Sequence, residues 1–71
     1  MSTQQTPTVH PELCILRLPA VQQKTGLKRA FIYQLMQQNK FPKSVQLGSR
    51  AVGWDAAEID QWIEDRIKER G

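Results

Sequence analysis

The stretch TGLKRAFIYQLMQQNKFP, residues 25–42, decides the fold, because it carries the signals for a turn, a helix and the end of that helix. Gly26 stands where a preceding helix would stop, and glycine can take the positive φ that a sharp exit from a helix requires. Apolar residues then recur three and four positions apart, which predicts a helix over about 28–39 with one buried stripe. The stripe consists of Ile32, Leu35 and Met36. Phe41-Pro42 ends the helix.

Two adjacent cations, Lys28 and Arg29, stand at the front of this helix, where the backbone dipole favours negative charge. In an isolated helix, a positive charge at this end is unfavourable. The two cations fit well if a phosphate group binds there, because backbone N–H groups and both side chains would then face it. The front of the helix is therefore a candidate site for the phosphate backbone of a nucleic acid.

The face opposite the buried stripe carries groups that suit the edges of DNA bases. Glutamine can pair bidentately with adenine, and alanine can contact the methyl group of thymine. The predicted members of this face are Ala30, Tyr33, Gln34 and Gln37. Two interpretations stay open for Tyr33, since its ring can contact DNA or pack on the core with only the hydroxyl in water. Whether Phe31, on the flank of the helix, packs or is exposed also stays open.

The segments on either side complete a recognisable order of elements. A first helix is predicted over about 19–24 with Val21 inward, after an apolar run from Leu13 to Leu18 that we assign to no element. After the second helix, Val45 and Leu47 alternate with polar residues, and the alternation resumes after a glycine turn, which predicts a β-hairpin. The turn places Ser49 and Arg50 at its tip, where an arginine can reach phosphate or a narrow minor groove. Both are candidate DNA contacts.

A last helix follows the hairpin. Asp55 and Glu58 have the spacing of a helix N-cap and its capping-box partner. Apolar residues then recur at helical spacing and are predicted to face inward: Ile59, Trp62, Ile63 and Ile67. Trp54 is also assigned to the core. Helix, tight turn, helix, hairpin and helix is the order of a winged helix-turn-helix, a small and mostly helical α+β fold that places its second helix in the major groove. We assign residues 12–71 to this domain and residues 1–11 to a flexible tail.

Charge is unevenly distributed along the 71 residues, whose net charge is +3. Residues 1–54 contain seven Lys and Arg against one acid, which gives +6. Residues 55–71 contain three cations against six acids, which gives −3 and restores the total of +3. An anionic partner is therefore expected on the helix-turn-helix and wing, and not on the last helix.

Several functional classes do not fit the composition. One cysteine, Cys14, forms no internal disulfide, and with one histidine, His10, there is no ligand set for zinc. No apolar run approaches a membrane span or the core of a signal peptide, so we expect a cytoplasmic protein without a membrane partner. There is no phosphate-binding loop, dinucleotide fingerprint or nucleophile signature. We expect no enzyme activity, no cofactor and no metal.

The sequence resembles the AlpA-type regulators carried by prophages and other integrated elements. The resemblance covers about residues 15–70 and rests on a combination of short blocks: Leu18-Pro-Ala-Val21, Thr25-Gly-Leu27, Ile32-Tyr33 with Leu35-Met36, Phe41-Pro-Lys43, Leu47-Gly48 with Arg50, Val52-Gly-Trp54, and Trp62-Ile63 followed by Arg66-Ile67. It implies a compact winged helix related to the MerR-like and excisionase group. It also implies DNA binding that activates transcription of an integrase gene or directs the integrase toward excision.

One position departs from the family. After Thr25-Gly-Leu27 the family tends to have serine, a natural N-cap, where this chain has Lys28. That removes an acceptor worth about 1 kcal/mol, so the second helix should begin a residue late or be capped by Thr25. The DNA contacts implied by the resemblance fall on Arg29, Tyr33, Gln34 and Arg50, whereas Lys28 matches only in position.

The expected partner is double-stranded DNA, with an integrase as a second candidate. We expect a monomer in solution and several copies side by side on DNA, because one recognition helix and one wing bury too little surface for high specificity. The alternative function is that of a protein-interaction module, which would bind an integrase or a repressor through the apolar run at Leu13–Leu18 and the acidic last helix.

Overall fold

The computed structural model describes residues 13–70. The tail predicted over residues 1–11 lies outside the described residues. Six elements follow in chain order: β1 (Ile15–Leu16), α1 (Leu18–Thr25), α2 (Arg29–Gln37), β2 (Val45–Gln46), β3 (Val52–Asp55) and α3 (Ala56–Glu69). Three helices and a three-stranded antiparallel sheet form a small α+β winged helix-turn-helix, which confirms the predicted fold class.

The turn between α1 and α2 forms as the sequence predicts. Gly26 has φ 76° and its N–H donates to the carbonyl of Gln22 at 2.7 Å, which closes α1 with a left-handed residue. The hydroxyl of Thr25 donates to the carbonyl of Val21 at 2.8 Å and accepts the N–H of Leu27 at 3.2 Å. Thr25 therefore fixes the turn itself and does not cap α2.

α2 ends at Gln37, two residues before the end of the predicted span 28–39, and it begins one residue late, as expected from Lys28 in place of the family's serine. Lys28 has extended backbone, with φ −82° and ψ 156°, and forms no side-chain cap, so the helix begins at Arg29. At the other end Asn39 has φ 60°. The N–H of Lys40 donates to the carbonyl of Leu35 at 2.9 Å, and that of Asn39 to the carbonyl of Met36 at 3.0 Å. This is a Schellman motif, and it turns the chain toward the wing.

The sheet has the order β1-β3-β2, so β3 is the central strand. β1 pairs through Ile15 with Asp55, and β2 pairs through Val45 with Gly53. The hairpin of β2 and β3 was predicted, but β1 was not. Val45 and Leu47 are 41% and 46% exposed. Val45 pairs with Gly53, so these two side chains lie on the sheet face opposite that of Val52 and Trp54.

The core consists of one cluster between the inner sheet face and the three helices. Its buried members are Val21, Ile32, Phe41, Trp54 and Ile59, which confirms the predicted burial of all but Phe41, for which no burial was predicted. The indole N–H of Trp54 donates to the carbonyl of Pro42 at 3.2 Å, and that of Trp62 to the carbonyl of Lys40 at 2.8 Å. The two tryptophans therefore hold the connection between α2 and the wing in addition to filling the core.

α3 begins at the predicted cap, since a carboxylate oxygen of Asp55 accepts the N–H of Ala57 at 3.0 Å. Within the described chain Glu58 forms no returning hydrogen bond, so the capping box is half formed. The inward assignment of Ile67 was wrong, because this side chain is 53% exposed. Its helix extends past Ile63, the last α3 residue packed against the core.

Candidate functional site

The predicted recognition face of α2 is largely exposed. Four of its six residues lie in the first half of the helix or directly before it. The exposed members are Lys28, Arg29, Ala30, Gln34 and Gln37, and Tyr33 is half-buried. Because Ile32 and its neighbours hold the opposite side of α2 against the core, this face is presented outward by the packing of the helix.

The front of α2 has the features that favour an anion. The first-turn N–H groups have no partner inside the helix, since the N–H of Ile32 is the first to reach a carbonyl, that of Lys28, at 3.0 Å. No acidic residue lies in the first turn and Lys28 provides no cap. The positive end of the helix dipole therefore coincides with the charges of Lys28 and Arg29.

Tyr33 joins the recognition face to the core. Its ring makes an edge contact with the buried Trp54, with centroids 6.4 Å apart and an interplanar angle of 66°. The guanidinium of Arg29 lies over the same ring at 5.8 Å from its centroid. Of the two interpretations left open for Tyr33, the structure shows packing on the core, because the contact with Trp54 leaves the ring half-buried. A DNA contact by its exposed part stays a prediction.

The wing places Ser49 and Arg50 at its exposed tip. The N–H of Leu47 donates to the carbonyl of Ala51 at 2.7 Å and closes the turn. Among residues 13–70, positive φ occurs at Gly26 and Asn39 only, so the glycine of the wing, Gly48, is not required for a left-handed conformation. The tip is a short loop of small and polar residues that ends in a cation.

The cations of the predicted surface are not neutralised by ion pairs within the described chain. The two ion pairs of residues 13–70 join Lys24 to Asp60 and Arg66 to Glu69, each at 2.6 Å. The first connects α1 to α3 and the second lies within α3. Lys28, Arg29 and Arg50 have no carboxylate of the described residues within 4.0 Å, so their charge is available to a ligand.

Two residues of this region were not among the predicted contacts. Phe31, in the first turn of α2, is 45% exposed and is absent from the core cluster, which answers the question that its flank position left open. Arg17 precedes α1, and its Nε–H donates to the carbonyl of Val52 at 3.0 Å. No local pattern indicates this bond, because its two residues meet only through the sheet.

Other kinds of site receive no support from the described residues. A groove between residues 42–45 and α3 is lined by Trp62, Glu58 and Asp65 among others, and contains no residue of the predicted surface. Among residues 13–70 no three His, Cys, Asp or Glu side chains are grouped as a metal ion would require. None of the helices of this part of the chain has the length and apolar character needed to span a membrane.

The sequence matches one protein-family model and is similar to two individual proteins. The family model described as "Prophage CP4-57 regulatory protein (AlpA)" matches residues 14–67. A protein of Escherichia coli (strain K12) named "DNA-binding transcriptional activator AlpA" is 50% identical over 60 residues, covering 76% of this chain and 86% of the relative. "Uncharacterized protein ORF88" of Enterobacteria phage P4 is 40% identical over 55 residues, covering 78% of this chain and 62% of that protein.

Proposed function

This chain belongs to the AlpA family of prophage regulatory proteins, and from that premise we propose that it binds specific sequences in double-stranded DNA and regulates transcription for a prophage or another integrated element. The observation that carries the proposal is the exposed set of cations at the front of α2 and the tip of the wing. None of these is paired with a carboxylate of residues 13–70.

Each part of the surface has a distinct role in this proposal. The first-turn N–H groups of α2, with Lys28 and Arg29, hold a phosphate and so fix the register of the helix on the duplex. Gln34 and Gln37 face base edges in the major groove, and Ala30 contacts a thymine methyl. Arg50, with Ser49 beside it, contacts the backbone or the minor groove next to the site of α2.

We further propose that the regulated gene encodes an integrase, or that the protein acts at an attachment site as an excisionase that directs the integrase. The Escherichia coli relative is named a transcriptional activator, which supports activation of transcription and does not identify the gene. Both roles use the same DNA contacts, and an integrase is the candidate protein partner in the second. A monomer that binds DNA in several adjacent copies is consistent with the small surface that one α2 and one wing can bury.

The alternative function is a protein-interaction module, and one observation favours it. Leu13 and Ile15 are 92% and 45% exposed, and the strand pairing places Ile15 on the same side of the sheet as the exposed Val45 and Leu47. Exposed apolar groups of this kind often mark contact surfaces. In this alternative the apolar run at Leu13–Leu18 and the acidic α3 bind an integrase or a repressor, and α2 binds no DNA.

A footprint distinguishes the two functions. Purified protein is added to DNA that spans its own gene and the nearest integrase gene, at two salt concentrations and with random DNA as competitor. We expect clustered short protected sites that survive the competitor, at a promoter for an activator and at an attachment site for an excisionase. Absence of protection at both salt concentrations would reject DNA binding and favour the interaction module.

A matched pair of variants tests the surface itself. Arg29→Ala and Arg70→Ala remove the same charge from exposed positions, one on α2 and one at the end of α3. We expect Arg29→Ala to weaken DNA binding about fivefold to tenfold and to reduce the salt slope by about 0.9. Arg70→Ala should leave both unchanged, so equal losses would show that the assignment of the binding surface is wrong.

A further inference from the structure

The carbonyl of Val52 lies on the edge of β3 that β1 leaves uncovered. Backbone groups of successive strand residues point to opposite sides, and the carbonyl of Ala51 accepts the N–H of Leu47 on the β2 side. The carbonyl of Val52 therefore points to the β1 side. β1, however, ends at Leu16, which pairs with Trp54, so no backbone donor of β1 reaches Val52.

The side chain of Arg17 supplies the missing donor. Arg17 is the N-cap of α1, and its Nε–H donates to the carbonyl of Val52 at 3.0 Å. The bond joins residues 35 positions apart and replaces the next rung of the sheet with a guanidinium. Val52 is the first residue of β3 after the wing turn, so the bond connects the base of the wing to the start of the helix-turn-helix.

We propose that Arg17 is a positioning residue for DNA binding: its guanidinium holds the wing at the angle to α2 that lets Arg50 and α2 engage the same duplex. β2 is two residues long, and Val45 and Leu47 are exposed. The bond from Arg17 therefore adds a third anchor to the core packing of β3 and to the two indole bonds that hold the wing at Lys40 and Pro42. The effect on DNA rests on the proposed function, whereas the anchoring of the wing can be measured without DNA.

Three substitutions of Arg17 separate its donor from its charge. Arg17→Gln places an amide nitrogen the same number of bonds from the backbone as Nε and removes the charge. Arg17→Lys keeps the charge and moves the donor one bond outward. Arg17→Met removes both and retains most of the stem. Arg70→Gln, on an exposed site at the end of α3, measures the effect of losing one positive charge alone.

The first measurement is amide hydrogen exchange of the protein without DNA, followed at Leu47, whose N–H closes the wing turn. We expect faster exchange in Arg17→Met and Arg17→Lys and protection close to that of the unchanged protein in Arg17→Gln. Unchanged exchange in Arg17→Met would overturn the anchoring. If Arg17→Met does not fold, the comparison of Arg17→Gln with Arg17→Lys decides, and equal or greater protection in the lysine variant overturns it.

The second measurement is DNA affinity as a function of salt. We expect Arg17→Met to bind about fivefold to tenfold more weakly, the effect of one intramolecular hydrogen bond, and Arg17→Gln to match Arg70→Gln. A double-mutant cycle of Arg17→Met with Arg50→Ala shows whether the loss of DNA affinity in Arg17→Met depends on the contact made by the wing. The double variant Arg17→Met/Arg50→Ala should then bind DNA within about twofold of the affinity of Arg50→Ala. If the two residues acted independently, their losses of binding free energy would add.

A direct phosphate contact by Arg17 would give a different pattern and overturn the proposal. Arg17→Lys would then retain affinity, while Arg17→Gln would lose it together with about 0.9 of the salt slope. Additive losses with Arg50→Ala would overturn it as well. If the unchanged protein binds no DNA, the proposed function fails, and the exchange experiment still decides whether Arg17 anchors the wing.

Discussion

At the scale of single residues, Tyr33 shows how one side chain serves both the core and the surface. Its ring contacts Trp54 on one side and carries Arg29 on the other. We expect Tyr33→Ala to lower the free energy of unfolding by about 2 kcal/mol, since a half-buried aromatic ring is lost. Tyr33→Phe should stay within about 0.5 kcal/mol and weaken DNA binding about threefold to tenfold through loss of the hydroxyl. Urea denaturation and DNA titration measure the two effects. Equal destabilisation by both substitutions would contradict this division.

Gln34 carries the prediction about sequence reading. If its amide pairs with a base, Gln34→Ala should cost about 1 to 3 kcal/mol on the specific site and little on random DNA. Gln38→Ala is the matched control, because Gln38 is an exposed residue of the same type at the end of α2 and outside the predicted face. Competition titrations with both DNAs give the answer. A uniform loss on both would show that Gln34 contacts the backbone.

At the scale of elements, the residue before α2, Lys28, caps the helix poorly, and its positive charge is proposed to contact a DNA phosphate. The backbone of Lys28 is already extended, as an N-cap requires, but its side chain offers no acceptor. We expect Lys28→Ser to stabilise the protein by about 1 kcal/mol and raise Tm by about 4 to 8 °C. The same substitution should reduce the salt slope of DNA binding by about 0.9. Lys40→Ser removes an equal charge after the helix and should raise Tm little, so a similar rise there would argue against capping.

Gly53 of the central strand is in a position where any added side chain would force its neighbours to shift. A Cβ on Gly53 would collide with Cγ2 of Ile15 and lie 3.1 Å from both the carbonyl oxygen of Leu16 and Cδ1 of Leu47. We therefore expect Gly53→Ala to lower the free energy of unfolding by about 1 to 3 kcal/mol. Gly48→Ala is the control, since nothing lies within 4 Å of its added Cβ. Thermal denaturation compares them, and equal stabilities would contradict the collision.

Features of the fold that depend only on neighbouring residues were predicted correctly from the sequence. The stripe of Ile32, the left-handed Gly26 and the Asp55 cap each depend on neighbours within a few residues, and each is present. β1 was not predicted, because two residues carry no period and their pairing partner lies on β3. The burial of Tyr33 and the bond from Arg17 to Val52 also depend on contacts between distant segments. Helical geometry alone predicted the candidate contacts on α2. It could not predict β1, the packing of Tyr33 or the bond from Arg17 to Val52.

At the scale of the whole molecule, charge separates the two ends of the fold. Residues 13–54 contain seven cations and no acid, whereas α3 begins an acidic segment. If about four of those cations neutralise phosphates, log affinity should fall with log salt with a slope of about −3.6. Titrations at four or more salt concentrations measure that slope. A slope near zero would contradict binding to the phosphate backbone.

The pairing of β1 with β3 also determines when the protein can fold. Ile15 pairs with Asp55, so the sheet joins the first strand of the described chain to the residue that caps its last helix. While the chain is being synthesised, α1 and α2 emerge before the strand and helix that cover their apolar sides. The nascent chain must therefore wait for nearly all of the domain before its core can close, and premature termination within β3 would leave no stable fragment.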